Sequence, residues 1–146
     1  MDGAGLRRAP GGFRRLPLTQ LLLDTQAFLW WVEDSPRLSR RARRAIAEPG
    51  NDCWLSLASC WEMAIKVSLG KLRLRSPLER FVPEQLGANR FRLLEVDLGD
   101  VSRIAGLPFH HRDPFDRLLV AQALGRKLRL VSTDPALRRY GVELVW

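Results

Sequence analysis

The chain has 146 residues, 46% of them apolar and 27% charged, which is a globular composition of one-domain length. Collagen-like, disordered and disulfide-scaffold classes are excluded, and no apolar run approaches the roughly 18 residues that a membrane span needs. Lys and Arg number 24 against 16 Asp and Glu, a net charge of +8, and such a field attracts polyanions, nucleic acid among them.

Residues 1–20 combine Arg7, Arg8, Arg14 and Arg15 with Gly3, Gly5, Pro10, Gly11, Gly12 and Pro17. They lack the apolar stretch of a signal peptide and read as a basic, disordered tail ahead of a single domain over 21–146. The run Leu21-Leu22-Leu23 predicts a buried strand that stops at Asp24. Thr25 to Val32 predicts a helix, broken by Ser35-Pro36. Ser39 caps a second helix through Ala47, closed by Pro49-Gly50. Cys53 to Ser56 is a strand. Ser59 to Leu69 is a helix with Gly70 behind it. Pro77 to Leu86 is a helix ending at Gly87, and Phe91 to Val96 a short strand. Asp97 to Ala105 and Pro114 to Leu124 are helices, the latter followed by Gly125. Leu128 to Ser132 is a strand, Pro135 to Arg139 a short helix, and Val142 to Val145 the last strand. Strands alternating with helices predict a three-layer α/β/α sandwich around a mostly parallel sheet. Cys53 and Cys60 have no metal-binding spacing and read as buried thiols of a reducing, cytoplasmic compartment.

The informative acids are those in apolar surroundings, where an unpaired carboxylate is costly. Asp24 ends the first strand, and Asp134 follows another. In an open parallel sheet the carboxyl ends of the strands share one edge, so the two can meet. Glu62 lies among Trp61, Met63, Ala64 and Ile65, and Asp116 lies in the first turn of an apolar helix. Each also has an ordinary reading: Asp24, Asp113 and Asp134 as helix caps, Asp116 as a partner of the helix dipole, and Glu62 as the i, i+4 partner of Lys66. Gathered at one edge, they would repel one another and favour a divalent cation. Oxygen ligands suit Mg²⁺ or Mn²⁺. His110-His111 does not make a zinc site, because adjacent side chains project differently and the chain has no further histidine.

Four pieces carry a resemblance: Leu22-Leu23-Asp24-Thr25, Ser59-Cys60-Trp61-Glu62-Met63-Ala64-Ile65-Lys66, His110 through Ala123, and Val131-Ser132-Thr133-Asp134. In order and wording they resemble the PIN domain, and more narrowly the VapC toxins of bacterial toxin–antitoxin pairs, over about residues 21–146. The resemblance implies a PIN-like fold and a Mg²⁺- or Mn²⁺-dependent endoribonuclease. Asp24, Glu62, Asp116 and Asp134 would be the catalytic, metal-binding quartet, backed by Thr25, Ser132 and Asp113. Ser132 stands where the family usually has Thr. With a metal held by four carboxylates, in-line attack leaving 5′-phosphate and 3′-hydroxyl ends is expected. Arg112, Arg117 and the Arg126/Lys127/Arg129 cluster are candidates to guide the RNA backbone.

The helix around Trp30 and Trp31 is apolar almost all round. It is either buried on several sides or meets a partner, and the resemblance suggests a cognate antitoxin there, with homodimerisation typical of the family. Three rival readings remain on sequence grounds. They are a housekeeping RNA-processing nuclease, a phosphatase using Asp24 as nucleophile, and a non-catalytic nucleic-acid-binding module. Gln26, where such phosphatases carry a second Asp, argues against the second.

Overall fold

A computed structural model describes residues 19–146, so the tail assigned to 1–20 lies outside the described residues except for Thr19 and Gln20. Gln20 already belongs to the sheet. The strands are β1 (Gln20–Leu23), β2 (Asp52–Ser56), β3 (Arg92–Leu94), β4 (Arg129–Val131) and β5 (Leu144–Val145). Every pairing is parallel, in the order β3-β2-β1-β4-β5. The helices are α1 (Thr25–Val32), α2 (Arg40–Ala47), α3 (Leu57–Ser68), α4 (Leu78–Asn89), α5 (Leu98–Ile104) and α6 (Pro114–Arg126), with a 3-10 helix over Pro135–Tyr140. Among the described residues no helix is long and apolar enough to cross a membrane.

The period of two along β1 builds the layers. Leu21 and Leu23 join one core with Phe28, Ile46, Cys53, Leu55, Met63 and Phe81. Leu22 joins the other with Leu118, Leu119, Val120, Leu130 and Tyr140. All three leucines are fully buried, as expected of a central parallel strand covered on both faces. The chain runs outward from β1 to β2 and β3, then returns to the other side of β1 as β4. The strand order therefore switches between β1 and β4, and the crevice beyond their carboxyl ends is where ligands bind in such sheets.

Helix boundaries depart from expectation where glycine was read as a stop. α4 continues through Gly87, and its left-handed terminus is Arg90 (φ 58°), with the Phe91 N–H bonding back to the Leu86 carbonyl. α6 likewise passes Gly125 and turns at Lys127 (φ 57°). Gly125 serves packing instead: a Cβ there would stand 3.1 Å from Arg103 Nε. α3 starts earlier than the expected Ser59, because Ser56 caps it by accepting the Ala58 N–H at 3.0 Å.

A buried polar network ties α6 to β2. Gln122, fully buried, accepts from Ser56 Oγ at 2.6 Å and donates to Asp100 Oδ2 and the Glu95 carbonyl, both at 3.1 Å. Both cysteines are buried and unpaired, and burial pushes the thiols up to about 12 for Cys53 and about 11 for Cys60. The native protein is therefore expected not to react with a thiol reagent near pH 8 until denaturant is added. Rapid labelling of two thiols in the native state would contradict this packing.

Candidate active site

The carboxyl edge of the sheet brings the predicted acids together. Asp24 follows β1, and its N–H donates to the Val131 carbonyl at 3.0 Å, joining the ends of β1 and β4. Its Oδ1 caps α1 by accepting the Ala27 N–H at 2.7 Å. Asp134 comes three residues after β4 and caps the 3-10 helix through the Ala136 N–H at 3.0 Å. Asp116 sits in the first turn of α6, and Asp113 caps that helix by accepting the Phe115 and Asp116 N–H groups at 2.8 and 3.2 Å. The capping roles and the convergence coexist, because three helix N-termini point at this edge. Glu62 reaches in from α3. Thr25 Oγ1 donates to its Oε1 at 2.6 Å, and Lys66 Nζ lies 3.1 Å from its Oε2.

Electrostatics shows the acids acting on one another. Burial lifts the Asp24 carboxyl to about 6, against the lowering by the Ala27 N–H and the Ser132 hydroxyl, and the charges of Glu62 and Asp134 add to the rise. Burial lifts Asp116 to about 7, helped by Asp113, Asp24 and Glu62 and opposed by His111. Burial does most of the lifting at both carboxyls, and in each case the neighbouring acids push the same way. Carboxylate oxygens are the donors that suit a hard divalent cation, and those of Asp116 and Asp134 lie within 4.8 Å of each other and of a His111 ring nitrogen.

Reading the sequence missed His111. Its Nε2 lies 2.7 Å from Asp134 Oδ2 and 3.5 Å from Asp116 Oδ2. His110 turns away and stacks edge-on against Tyr140 at 4.9 Å, so the two adjacent rings do project differently, as expected. The signal for His111 was its place just ahead of Asp113-Pro114, which sets it at the mouth of α6. A second omission is the rim. Trp61, 61% exposed and next to Glu62, packs edge-to-face at 5.0 Å on Phe115, which is next to Asp116.

Several expected RNA and partner contacts are otherwise engaged. Arg117 is buried: it donates to the carbonyls of Pro108, Ile104 and Leu107 and to Tyr140 Oη, and its guanidinium lies 4.1 Å from the Phe109 ring centroid. It pins the loop between α5 and α6 and does not face solvent. Arg126 pairs with Asp97 and Asp100, just beyond β3, and Arg129, at the amino end of β4, pairs with Glu143. Arg112 is exposed beside the site. Trp30 packs on Trp146 at 5.8 Å, and Trp31 packs on Phe91 at 6.2 Å and donates to Asn89 Oδ1 at 2.9 Å. Burial on several sides thus accounts for the apolar girth of α1. Its less covered flank is a groove of about 340 Å³, where Leu29, Val32, Leu74 and Phe81 meet Arg73 and Arg75.

The model of the PIN domain matches residues 21–143. This chain belongs to the PIN-domain family. The PIN domain is 30% identical over 124 residues to Ribonuclease VapC22 of Mycobacterium tuberculosis, covering 84% of this chain and 93% of that protein. Its fold is similar to VapBC2 from Rickettsia felis bound to a DNA fragment from their promoter, with a TM-score of 0.65, 13% identity, and 86% and 97% of the two chains covered. It is also similar to FitAcB from Neisseria gonorrhoeae, with a TM-score of 0.58, 18% identity, and 85% and 95% covered. The all-parallel sheet between helical layers is thus the PIN-like architecture expected.

Proposed function

We propose that this PIN domain is a divalent-metal-dependent endoribonuclease, hydrolysing RNA phosphodiesters as the toxin of a toxin–antitoxin pair. The observation that carries the reading is the convergence of acids at the β1/β4 switch point, where burial and mutual repulsion raise the carboxyls of Asp24 and Asp116. Asp24, Asp116, Asp134 and Glu62 are the residues that would hold Mg²⁺ or Mn²⁺. When bound, such an ion supplies positive charge at the scissile phosphate and makes water more acidic. The chain's own groups do the rest. Thr25 and Lys66 fix both oxygens of Glu62, leaving a carboxylate aimed at the site and able to orient water. Ser132 and the Ala27 N–H hold Asp24 against the repulsion of its neighbours. Asp24 is a poor phosphatase nucleophile, because it is 8% exposed and one oxygen already caps α1.

The Trp61 indole offers a face on which an unpaired base can stack beside the acids. Trp61→Ala is expected to raise KM for single-stranded RNA about tenfold with little change in kcat. An unchanged KM contradicts a base-stacking role. For the antitoxin, the groove bounded by Leu29, Val32, Leu74 and Phe81 offers an apolar floor for an extended segment. The 30% identity to Ribonuclease VapC22 supports the nuclease reading, and the fold shared with VapBC2 supports the toxin reading. A second copy of the chain is the expected further partner, as a homodimer.

Cells expressing the protein are expected to stop growing and to accumulate new RNA 5′ ends. Asp24→Asn should remove both effects, and co-expression of the cognate antitoxin should relieve the arrest. Growth arrest without new RNA ends, or with undiminished ends in Asp24→Asn, contradicts the proposal.

A further inference from the structure

We propose that His111 positions Asp134, and through it sets how tightly the acids hold a divalent cation, as a hydrogen-bond donor and not as a metal ligand. The inference rests on the metal-dependent reading above. Distances alone invite the opposite assignment, since His111, Asp116 and Asp134 each offer one ligand atom, and these lie within 4.8 Å of one another.

The backbone decides against it. The Asp113 N–H donates to His111 Nδ1 at 3.0 Å. That bond needs a lone pair on Nδ1, so Nδ1 carries no hydrogen. A neutral imidazole then has its single proton on Nε2. Nε2 is the nitrogen that faces Asp134 Oδ2 at 2.7 Å and Asp116 Oδ2 at 3.5 Å. It donates to Asp134 and has no lone pair for a cation. To become a ligand, the ring would have to move its proton to Nδ1 and break the bond from Asp113.

The surroundings hold this arrangement. Asp134 is clamped at both oxygens, Oδ1 by the Ala136 N–H at 3.0 Å and Oδ2 by His111. The loop that delivers His111 is anchored one residue earlier, where the His110 N–H donates to Tyr140 Oη at 3.1 Å. Arg117 holds the same hydroxyl at 3.2 Å. A carboxylate fixed at both ends presents its remaining lone pairs in one direction, which lowers the cost of ordering it around an ion.

Mn²⁺ is the probe. Its binding to the full chain is followed by electron paramagnetic resonance, with nitrogen-14 couplings read from the bound ion. Wild type is expected to bind Mn²⁺ without the coupling of a directly coordinated imidazole. His111→Ala is expected to weaken Mn²⁺ binding by about tenfold to a hundredfold. His111→Gln, whose amide N–H reaches the same oxygen, should restore it to within about threefold. An imidazole coupling in wild type that His111→Ala abolishes makes His111 a ligand and overturns the proposal. So does unchanged Mn²⁺ affinity in His111→Ala. Absence of Mn²⁺ binding in wild type overturns the metal-dependent reading itself, and the proposal with it.

Discussion

Asp116→Asn is expected to stabilise the metal-free protein near pH 7.5 by on the order of 3 kcal/mol while lowering RNA cleavage by roughly a thousandfold or more. The two effects have one cause. Asp116 is raised from 3.8 to about 7 by burial and by the charges of Asp113, Asp24 and Glu62. Between these values the native state holds a proton that the unfolded chain has already lost. The contribution of Asp116 to stability is therefore greatest below about pH 4 and falls as pH rises through about 7. Asp24, raised from 3.8 to about 6, acts in the same direction. Asparagine removes the charge, so the variant should outlast wild type at neutral pH and differ little near pH 4. Saturating Mn²⁺ should reverse the order by stabilising only the protein that binds it. Chemical denaturation at the two pH values, with EDTA or Mn²⁺, checks each arm. A variant less stable than wild type at neutral pH in EDTA contradicts the electrostatic account.

Arg117→Met carries the second large effect, a loss of about 3 kcal/mol of stability, since it leaves buried carbonyls without their donor. Methionine keeps most of the volume and the apolar stem, so the loss reports the guanidinium. That group donates to the carbonyls of Pro108, Ile104 and Leu107 and to Tyr140 Oη at 2.9 to 3.4 Å, from a side chain that is 6% exposed. Arg112→Met, at an exposed position five residues away, should change stability by less than about 0.5 kcal/mol. Urea midpoints of the two variants separate these roles. Similar midpoints would mean that Arg117 does not pin the loop.

The contrast between these arginines shows what sequence conveys and what it withholds. The strand–helix alternation and the three buried leucines of β1 gave the parallel sheet directly, because a central strand has no other way to satisfy both faces. Placing Asp24 and Asp134 at strand ends followed from the same rule, although 110 residues separate them. Arginine burial was not legible. Arg112 and Arg117 look alike in the chain, and only the carbonyls at the end of α5 and in the following loop, brought round by tertiary packing, turn one of them inward. For the tryptophans of α1 the sequence left two readings, burial on several sides or a partner, and did not reveal their packing partners. Trp30 and Trp31 find partners in Trp146 and Phe91, far away in sequence, while Trp61 stays exposed beside the acids. His111 was hidden because its role depends on a single backbone N–H two residues later.

Cleavage of RNA by the purified protein, as Mg²⁺ or Mn²⁺ is added and then withdrawn with EDTA, tests the central claim most directly. The account predicts cleavage only with the ion present, 5′-phosphate and 3′-hydroxyl ends, and none from Asp116→Asn. Cleavage that persists in EDTA, or that leaves 2′,3′-cyclic phosphate ends, would contradict it.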